Sequence, residues 1–451
     1  VSQEISEQYI VAVVGAGPAG LFAARQLANS GVRVVLINRD VKPGGLAEYG
    51  IYYEKYKMKV GLRKQFRQIL DLPQIEYFGN LTVGQHADIS LEALKDMGFH
   101  AVVVAAGAQG TKWLGLPGEN LQGVYHAKDL VYHYNHLPPY SHQSYPIGKR
   151  VALVGVGNVS MDIAHWVVHD LKVDEVIAIA RRGPAEVKFT KAEMENVGKN
   201  LDLAALDAEL ERARPIMEAI GQDVAAARDN ILAGTLKASE PVSNTRMRFD
   251  FLASPVRMIG DAQGKVCGLE VEDTTLSGDK ENPKAKSLGT KRIVDVDTVV
   301  FCIGDKVDED FGLPVQWNAF VKSPEPQMPV AGNSYEAYDP QAASAIPGVF
   351  VAGWSREASS GLVGIARKDG ENGAQVVLSY LNAAVGQTDR VNSGQVMAAF
   401  CNKVTGLKKV IVSQPQLKLL EQSELAEAQR LGLEDFKYDS NETMFQVMGL
   451  G

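Results

Sequence analysis

The sequence predicts an α/β protein in which one design, a buried parallel sheet clad in helices, is built twice. Two observations carry that prediction. Residues 10–38 run as an apolar strand, IVAVV, a glycine turn, GAGPAG, a helical stretch, LFAARQLANSG, and a second strand, RVVLIN. Residues 150–180 repeat the order as RVALV, GVGNVS, MDIAHWVVHD and EVIAIA. An apolar strand entering a glycine turn of this spacing and leaving as a helix is the crossing of a Rossmann-like dinucleotide-binding unit. Strands buried on both faces read as continuous apolar runs, as these do.

In the first copy, Gly15 permits the tight turn, Gly17 lets the backbone approach a pyrophosphate, and Gly20 allows the helix to lie close on the strand. Pro18 falls in the first helical turn, where its missing N–H costs nothing. The helix begins near Ala19, and its positive end would receive a pyrophosphate. At the end of the second strand, where an acid usually bonds an adenosine ribose, stands Asn38, with Asp40 two residues on. An asparagine oxygen accepts a hydrogen bond without charge assistance, so a dinucleotide there should leave more easily by about 1 kcal/mol.

The turn PGGLAEYG follows, and then a run carrying Lys55, Lys57, Lys59, Arg63, Lys64 and Arg67, which reads as a solvated helix face. A strand near Ile75 to Phe78, a hairpin-like GNLTVG, the helix SLEALKDMG and the apolar strand HAVVVAAGA complete a doubly wound order. Residues 107–146 read as a crossing segment. Its histidines His126, His133, His136 and His142 follow no ligand spacing and have no acidic cluster beside them, so no metal is expected.

The second copy carries Gly155, Gly157 and, at the third position, Ser160, which is small enough for close packing. Its second strand ends in Arg181 and Arg182, where an NAD site would place an acid. Two guanidinium groups suit a 2′-phosphate instead. Charge-assisted bonds of about 1.5 to 3 kcal/mol each would favour NADPH over NADH by roughly two orders of magnitude or more. Two dinucleotides in one chain point to electron transfer between them.

Residues 202–235 are Ala-rich and helical, with an interruption expected at Pro215. Three strand-like runs follow, RFDFLASPVRMI, VCGLEVEDTTL and RIVDVDTVVFCIG, joined by the turn DAQG and the polar loop SGDKENPKAKSLG, which predicts a meander over one face of the second domain. In IPGVFVAGWSREASSGLVGI a buried strand reaches Gly353 and Trp354, and a helix starts near Gly361. Such a helix start can aim N–H groups at a flavin pyrimidine. The tail from Val404 carries no chemistry legible in its pattern.

The whole chain has 451 residues, 45% hydrophobic and 22% charged, enough for two ordinary domains. It has no apolar segment of membrane-spanning length, and VSQEISEQYI is not a signal peptide, so a cytoplasmic or organelle-matrix protein is expected. Cys267, Cys302 and Cys401 lie far apart and form no C-x-x-C, which disfavours a redox disulfide, a cluster or a zinc site and makes each a small core hydrophobe. A net charge of −8 argues against a nucleic-acid partner.

Taken together, VVGAGPAG, GGLAEYGI, LGLPGENLQGVYHAKDLVYHYN, GVGNVSMDIA, ARRGPAEVKFTKAEM, MRFDFLASPV, FCIG and PGVFVAGW to GLVGI resemble the adrenodoxin reductase and FprA-type ferredoxin–NADP(+) reductases. These sit within the wider two-dinucleotide flavoprotein group that includes the glutamate synthase small subunit. The resemblance implies FAD held by the Gly15–Gly20 loop with Ala19, and by Asn38, Leu46, Val83, Trp354, Gly361, Leu362 and Val363. It implies NADP(H) against Gly155, Gly157, Asn158, Val159, Arg181, Arg182 and Glu193, with Gly361 also reaching it. It further implies an FAD domain split in sequence, residues 1–108 and 328–451, around an NADP(H) domain of residues 109–327.

Departures from the family pattern are Asn38 in place of an acid, Lys55 in place of a histidine, the loop SREASSG, and few basic residues between Leu203 and Leu236. The implied activity is hydride transfer from NADPH to FAD, followed by single-electron delivery to a ferredoxin or flavodoxin, or the reverse. No general acid or nucleophile is required, and Lys55 and Asp162 are candidates for an ion pair near the flavin. Two alternatives stand beside it: an electron-input subunit of a larger complex, and a flavin-binding subunit without turnover. An acidic partner would dock in the cleft between the domains, on the basic run from Lys55 to Arg67.

Overall fold

The structure is a computed structural model that describes residues 8–238, 240–358, 361–383 and 391–451. Residues 1–7 of the N-terminal stretch read above as lacking a signal peptide, and Ser359 and Ser360 of the SREASSG loop, lie outside the described residues. The chain divides into two compact units. One takes the described residues up to Gly110, then Tyr132–His142 and Gly304–Gly451; the other takes Thr111–Val131 and the described residues of Gln143–Ile303.

The first unit is built on a six-stranded sheet in the order Glu336–Asp339, Ser344–Val351, Ala101–Val104, Ile10–Val14, Arg33–Asn38 and Ile75–Gly79. All neighbours are parallel except the first pair. Ile10–Val14 is buried at every residue, because helices cover both faces. Val102 pairs with Val349, which brings the last third of the chain back to the first sheet. Helix Pro18–Asn29 packs on helix Val363–Ala383 through glycines: a Cβ on Gly370 would lie 2.0 Å from the Ala19 carbonyl oxygen.

The second unit has a five-stranded parallel sheet, Val124–His126, Thr298–Phe301, Arg150–Val154, Glu175–Ala180 and Arg246–Phe251, and a three-stranded antiparallel sheet. Here the structure corrects the expected meander. The run RFDFLASPVRMI splits at Leu252 into an edge strand of the parallel sheet and the meander strand Ala253–Gly260. Leu252 is buried in the left-handed region at φ 51°, a strained turn for a branched side chain. It is held there because its N–H bonds the Arg182 carbonyl and its own carbonyl accepts from Thr274. The last run splits in the same way, and the polar loop is largely strand Lys284–Val294, paired with Val266–Ser277.

Other local expectations shift for clear reasons. Pro215 does not interrupt its helix, which runs Leu203–Glu218; the break comes at Gly221, φ 78°, before Asp223 caps the next helix. GNLTVG forms no hairpin ladder: it curls as a turn in which Asp88 accepts from the Thr82 N–H and hydroxyl. The crossing segment contains the helix Ala127–Tyr134. Cys267 is exposed and Cys302 and Cys401 are half-buried. No described helix is long and apolar enough to cross a membrane.

Candidate dinucleotide sites

Both glycine turns have the same division of labour. Gly15 has φ 106°, and a Cβ there would lie 2.3 Å from the Ala105 carbonyl oxygen; one on Gly20 would lie 1.8 Å from the Gly15 oxygen. Gly17, at the helix N-cap, would meet nothing within 4 Å. In the second unit Gly155 has φ 122° and would meet the Cys302 oxygen at 2.5 Å, while Gly157 again faces open space. Ser160 is fully buried and its hydroxyl donates to the Gly157 carbonyl at 2.8 Å. Gly15, Gly20 and Gly155 are closed by backbone and Ser160 is buried, while the middle position of each turn is left open at a helix N-terminus, where an anion is favoured.

Around the first turn the structure gathers several predicted residues. Gly44 N–H bonds the Ala16 carbonyl at 2.7 Å, and a Cβ on Gly45 would lie 3.3 Å from Gly17 Cα. Leu46 therefore starts its short helix, Leu46–Tyr49, against the glycine turn. Trp354 lies in the turn Gly353–Ser355, and a Cβ on Gly353 would lie 2.6 Å from Ala19 Cβ. Asp369 holds that turn: it accepts from the Gly353 N–H at 2.5 Å, from Tyr335 at 3.0 Å and from Arg356 at 2.6 Å. Ser355, fully buried, accepts from the Gly107 N–H at 3.0 Å. Gly361 has φ 73°, Leu362 is 66% exposed, and Val363 opens the helix. Val83 bridges Ile89, half-buried against the core. Asn38 is buried and bonded on all sides by the protein.

In the second unit Asn158 opens helix Asn158–His169 and its oxygen accepts from the Thr190 N–H at 2.8 Å. Lys188 N–H bonds the Val156 carbonyl, so the segment Lys188–Thr190 lies along the glycine turn, and Glu193 follows in the helix Lys191–Glu195. Val159 is 43% exposed. Arg181 and Arg182 follow the strand end. Among the described residues neither guanidinium has an ion pair, whereas Arg246, Arg248, Arg257 and Arg292 of the same unit are each bridged to an acid. Lys55 ends a short 3₁₀ turn in the first unit, half-buried, and Asp162 is half-buried on the Asn158 helix of the second. Gly361, assigned to both cofactors, belongs to the first unit.

The run from Lys55 to Arg67 is only in part the solvated face expected, with Lys57, Lys64 and Arg67 exposed. Lys59 is fully buried, its amine donating to Asn135 Oδ1 at 2.6 Å. Arg63 grips Glu48 through two nitrogens at 2.6 and 2.7 Å and Asp435 at 2.6 Å, and Arg67 pairs with Glu421. The tail supplies what its pattern did not reveal: Lys437 donates to the Glu48 carbonyl at 2.8 Å, and Glu424 meets Lys42 at 2.5 Å. Burial alone would raise Glu48, but Lys437, Lys42 and Arg63 hold its carboxyl well below the usual range. The group fixes the short helix that starts at Leu46.

Burial, with Lys437 nearby, pushes the Lys59 amine down to about 6. A neutral Lys59 leaves Lys42, Arg63 and Lys437 balanced against Glu48, Glu424 and Asp435. Between about pH 6 and the ordinary lysine range the unfolded chain binds a proton that the folded chain does not, so stability should rise with pH across that window. At pH 7 the cost has an upper bound of about 5 kcal/mol, and an unsatisfied Asn135 oxygen would return roughly 1 to 3. Lys59→Met is expected to be more stable by about 2 kcal/mol near neutrality, with a flatter stability–pH curve in urea titrations. An unchanged pH slope would refute the neutral amine.

Two Rossmann-like units, each with an open glycine turn and each discontinuous in sequence, define the class as a two-dinucleotide α/β fold. Residues 9–201 match the family model described as pyridine nucleotide-disulphide oxidoreductase. The chain resembles the FprA-type and adrenodoxin reductases over most of its length. It is 27% identical over 410 residues to the NADPH-ferredoxin reductase FprA of Mycobacterium leprae, covering 83% of this chain and 84% of that protein. It is 28% identical over 396 residues to the mitochondrial NADPH:adrenodoxin oxidoreductase of Arabidopsis thaliana, covering 78% of each. The structure of Mycobacterium tuberculosis FprA in complex with NADPH superposes with a TM-score of 0.80 at 24% identity, over 98% of this chain and 100% of that one, which establishes the shared fold.

Proposed function

We propose that the chain is an FAD-dependent oxidoreductase that takes a hydride from NADPH and passes single electrons to a ferredoxin- or flavodoxin-like protein, or runs the reverse. The observation that carries it is the pair of open glycine turns, the second followed by two arginines without an ion pair among the described residues. The names of the relatives from Mycobacterium leprae and Arabidopsis thaliana support the same reading. FAD belongs to the first unit, against Gly15–Gly20, Leu46, Trp354 and Gly361–Val363; NADP(H) belongs to the second, against Gly155–Val159, Arg181, Arg182 and Glu193.

When bound, FAD supplies the conversion between two-electron and one-electron transfer. The chain's own residues bind and orient: N–H groups at the two helix starts take the pyrophosphates, and Asp369 and Ser355 hold the Gly353–Ser355 turn in place. Lys55, in the same unit as the FAD turn, is retained as a candidate for a charge that tunes the flavin. A cytoplasmic or organelle-matrix setting fits this role, and the Arabidopsis thaliana relative is mitochondrial. The test is anaerobic: the purified, FAD-loaded chain should be bleached by NADPH, and a chain that takes up no FAD, or keeps its colour with NADPH, overturns the proposal.

The docking surface for an acidic partner narrows to what the helix Tyr56–Leu70 exposes. Lys59, Arg63 and Arg67 are engaged within the protein, which leaves Lys57 and Lys64 exposed beside Met58 and Val60, 56% and 52% exposed. Exposed charges act within roughly 8 to 10 Å at physiological salt, so two lysines can steer a partner despite a net charge of −8. Lys57→Glu with Lys64→Glu should slow ferredoxin association about tenfold at low salt, leave NADPH reduction of the flavin intact, and lose its effect as salt rises. Stopped-flow rates against ionic strength check this.

A further inference from the structure

The end of the strand Arg33–Asn38 is where a ribose acceptor belongs, and Asn38 is committed elsewhere. It is 5% exposed, and its nitrogen faces the carbonyls of Asp40 at 2.8 Å and Lys42 at 2.9 Å and the Tyr77 hydroxyl at 3.2 Å. Its oxygen accepts from the Ala16 N–H at 3.1 Å. The nitrogen's two hydrogens are taken by three acceptors, and the oxygen, the one atom that could accept from a ribose, is already turned to the Ala16 N–H on a side chain with almost no exposure. What the side chain does is curl residues 39–42 back against the glycine turn.

That curl presents Asp40. Its carboxylate is oriented by Arg39, whose Nε donates to Oδ1 at 3.0 Å, and it keeps 16% of its side-chain exposure. Arg39 is itself fixed from the far side: Nη1 donates to Gln109 Oε1 at 2.8 Å, and Gln109 Nε2 donates to the Ala106 carbonyl at 2.9 Å. Ala106 follows Ala101–Val104, and Ile10–Val14 lies between that strand and Arg33–Asn38. The Arg39–Gln109 bond therefore spans the end of the strand that enters the glycine turn, and Asp40 stands at its rim. Asp40 also lines a cavity of about 270 Å³, together with Arg39, Val41, Tyr49, Tyr140 and Met444 among others. An ionised carboxylate has about four acceptor positions, so a carboxylate held by one arginine can still accept from both hydroxyls of a cis-diol.

We propose that Asp40, oriented by Arg39, accepts the ribose hydroxyls of the adenosine half of FAD in place of the strand-end acid. The assignment rests on FAD occupying the first unit. Asn38 then acts as a positioning residue, through the loop it holds, and the ligand contact has moved two residues along the chain.

The experiment measures FAD and FMN dissociation constants by flavin fluorescence for the unsubstituted chain and for Asp40→Asn. FMN has no adenosine, so it reports the rest of the site. Asp40→Asn should weaken FAD about tenfold, as two charge-assisted bonds become neutral ones, and leave FMN within about twofold. The loop bonds to Asn38 use the Asp40 backbone carbonyl, so the substitution spares them. Unchanged FAD affinity in Asp40→Asn, or equal weakening of FAD and FMN, overturns the proposal while the FAD reading stands. An unsubstituted chain that binds no FAD overturns both.

Discussion

Gly17→Val should fold normally and lose FAD, whereas Gly20→Val should fail to fold. The two positions differ only in what surrounds them. Gly17 has φ −76° and ψ −179°, ordinary extended values, and a Cβ there meets nothing within 4 Å, so the backbone accepts a side chain without strain and its first carbon without overlap. It does fill the space that a pyrophosphate needs to reach the first N–H groups of helix Pro18–Asn29. Losing two charge-assisted contacts of about 1.5 to 3 kcal/mol each weakens binding by two orders of magnitude or more. At Gly20 the Cβ would sit 1.8 Å from the Gly15 carbonyl oxygen, which is backbone already fixed by φ 106° at Gly15. Relief requires moving a helix off the central strand, which costs about 3 kcal/mol or more. Circular dichroism and flavin fluorescence separate the outcomes, and a Gly17→Val protein that keeps its FAD would place the pyrophosphate elsewhere.

The second large effect is expected from Arg181→Ala with Arg182→Ala, which should raise the NADPH Michaelis constant about a hundredfold and leave that for NADH nearly unchanged. Both arginines follow the strand Glu175–Ala180, and no acid among the described residues neutralises them, so their charge is available to a ligand. Their backbone is rigid, because the Arg181 carbonyl accepts from the Thr274 hydroxyl at 2.8 Å and the Arg182 carbonyl from the Leu252 N–H at 3.1 Å. A 2′-phosphate lies far from the reacting nicotinamide carbon, so its contacts hold ground state and transition state alike. The loss should accordingly appear in KM, with kcat at saturation preserved. Equal efficiency with NADH and NADPH before mutation would refute the assignment.

What could be read from the sequence is what thirty consecutive residues decide by themselves. The strand, glycine turn, helix and strand at residues 10–38 and again at 150–180 are local events, set by apolar runs and by residues without a Cβ, and the structure places them where the pattern does. The place of Arg181 and Arg182 at a strand end was legible for the same reason, since a strand end is a local address. Tertiary structure decided the destination of each charge. Lys57 and Lys59 look alike in sequence, yet one is exposed and the other fully buried, because Asn135 and the tail residues Asp435 and Lys437 close over one face of the helix. The strand break at Leu252 depends on backbone partners from Arg182 and Thr274, and the direction of the Asn38 amide depends on Tyr77, contributed by the neighbouring strand. A charged or amide side chain must find its partners on burial, and those partners come from whatever long-range packing brings near. Periodicity along the chain carries no record of that choice.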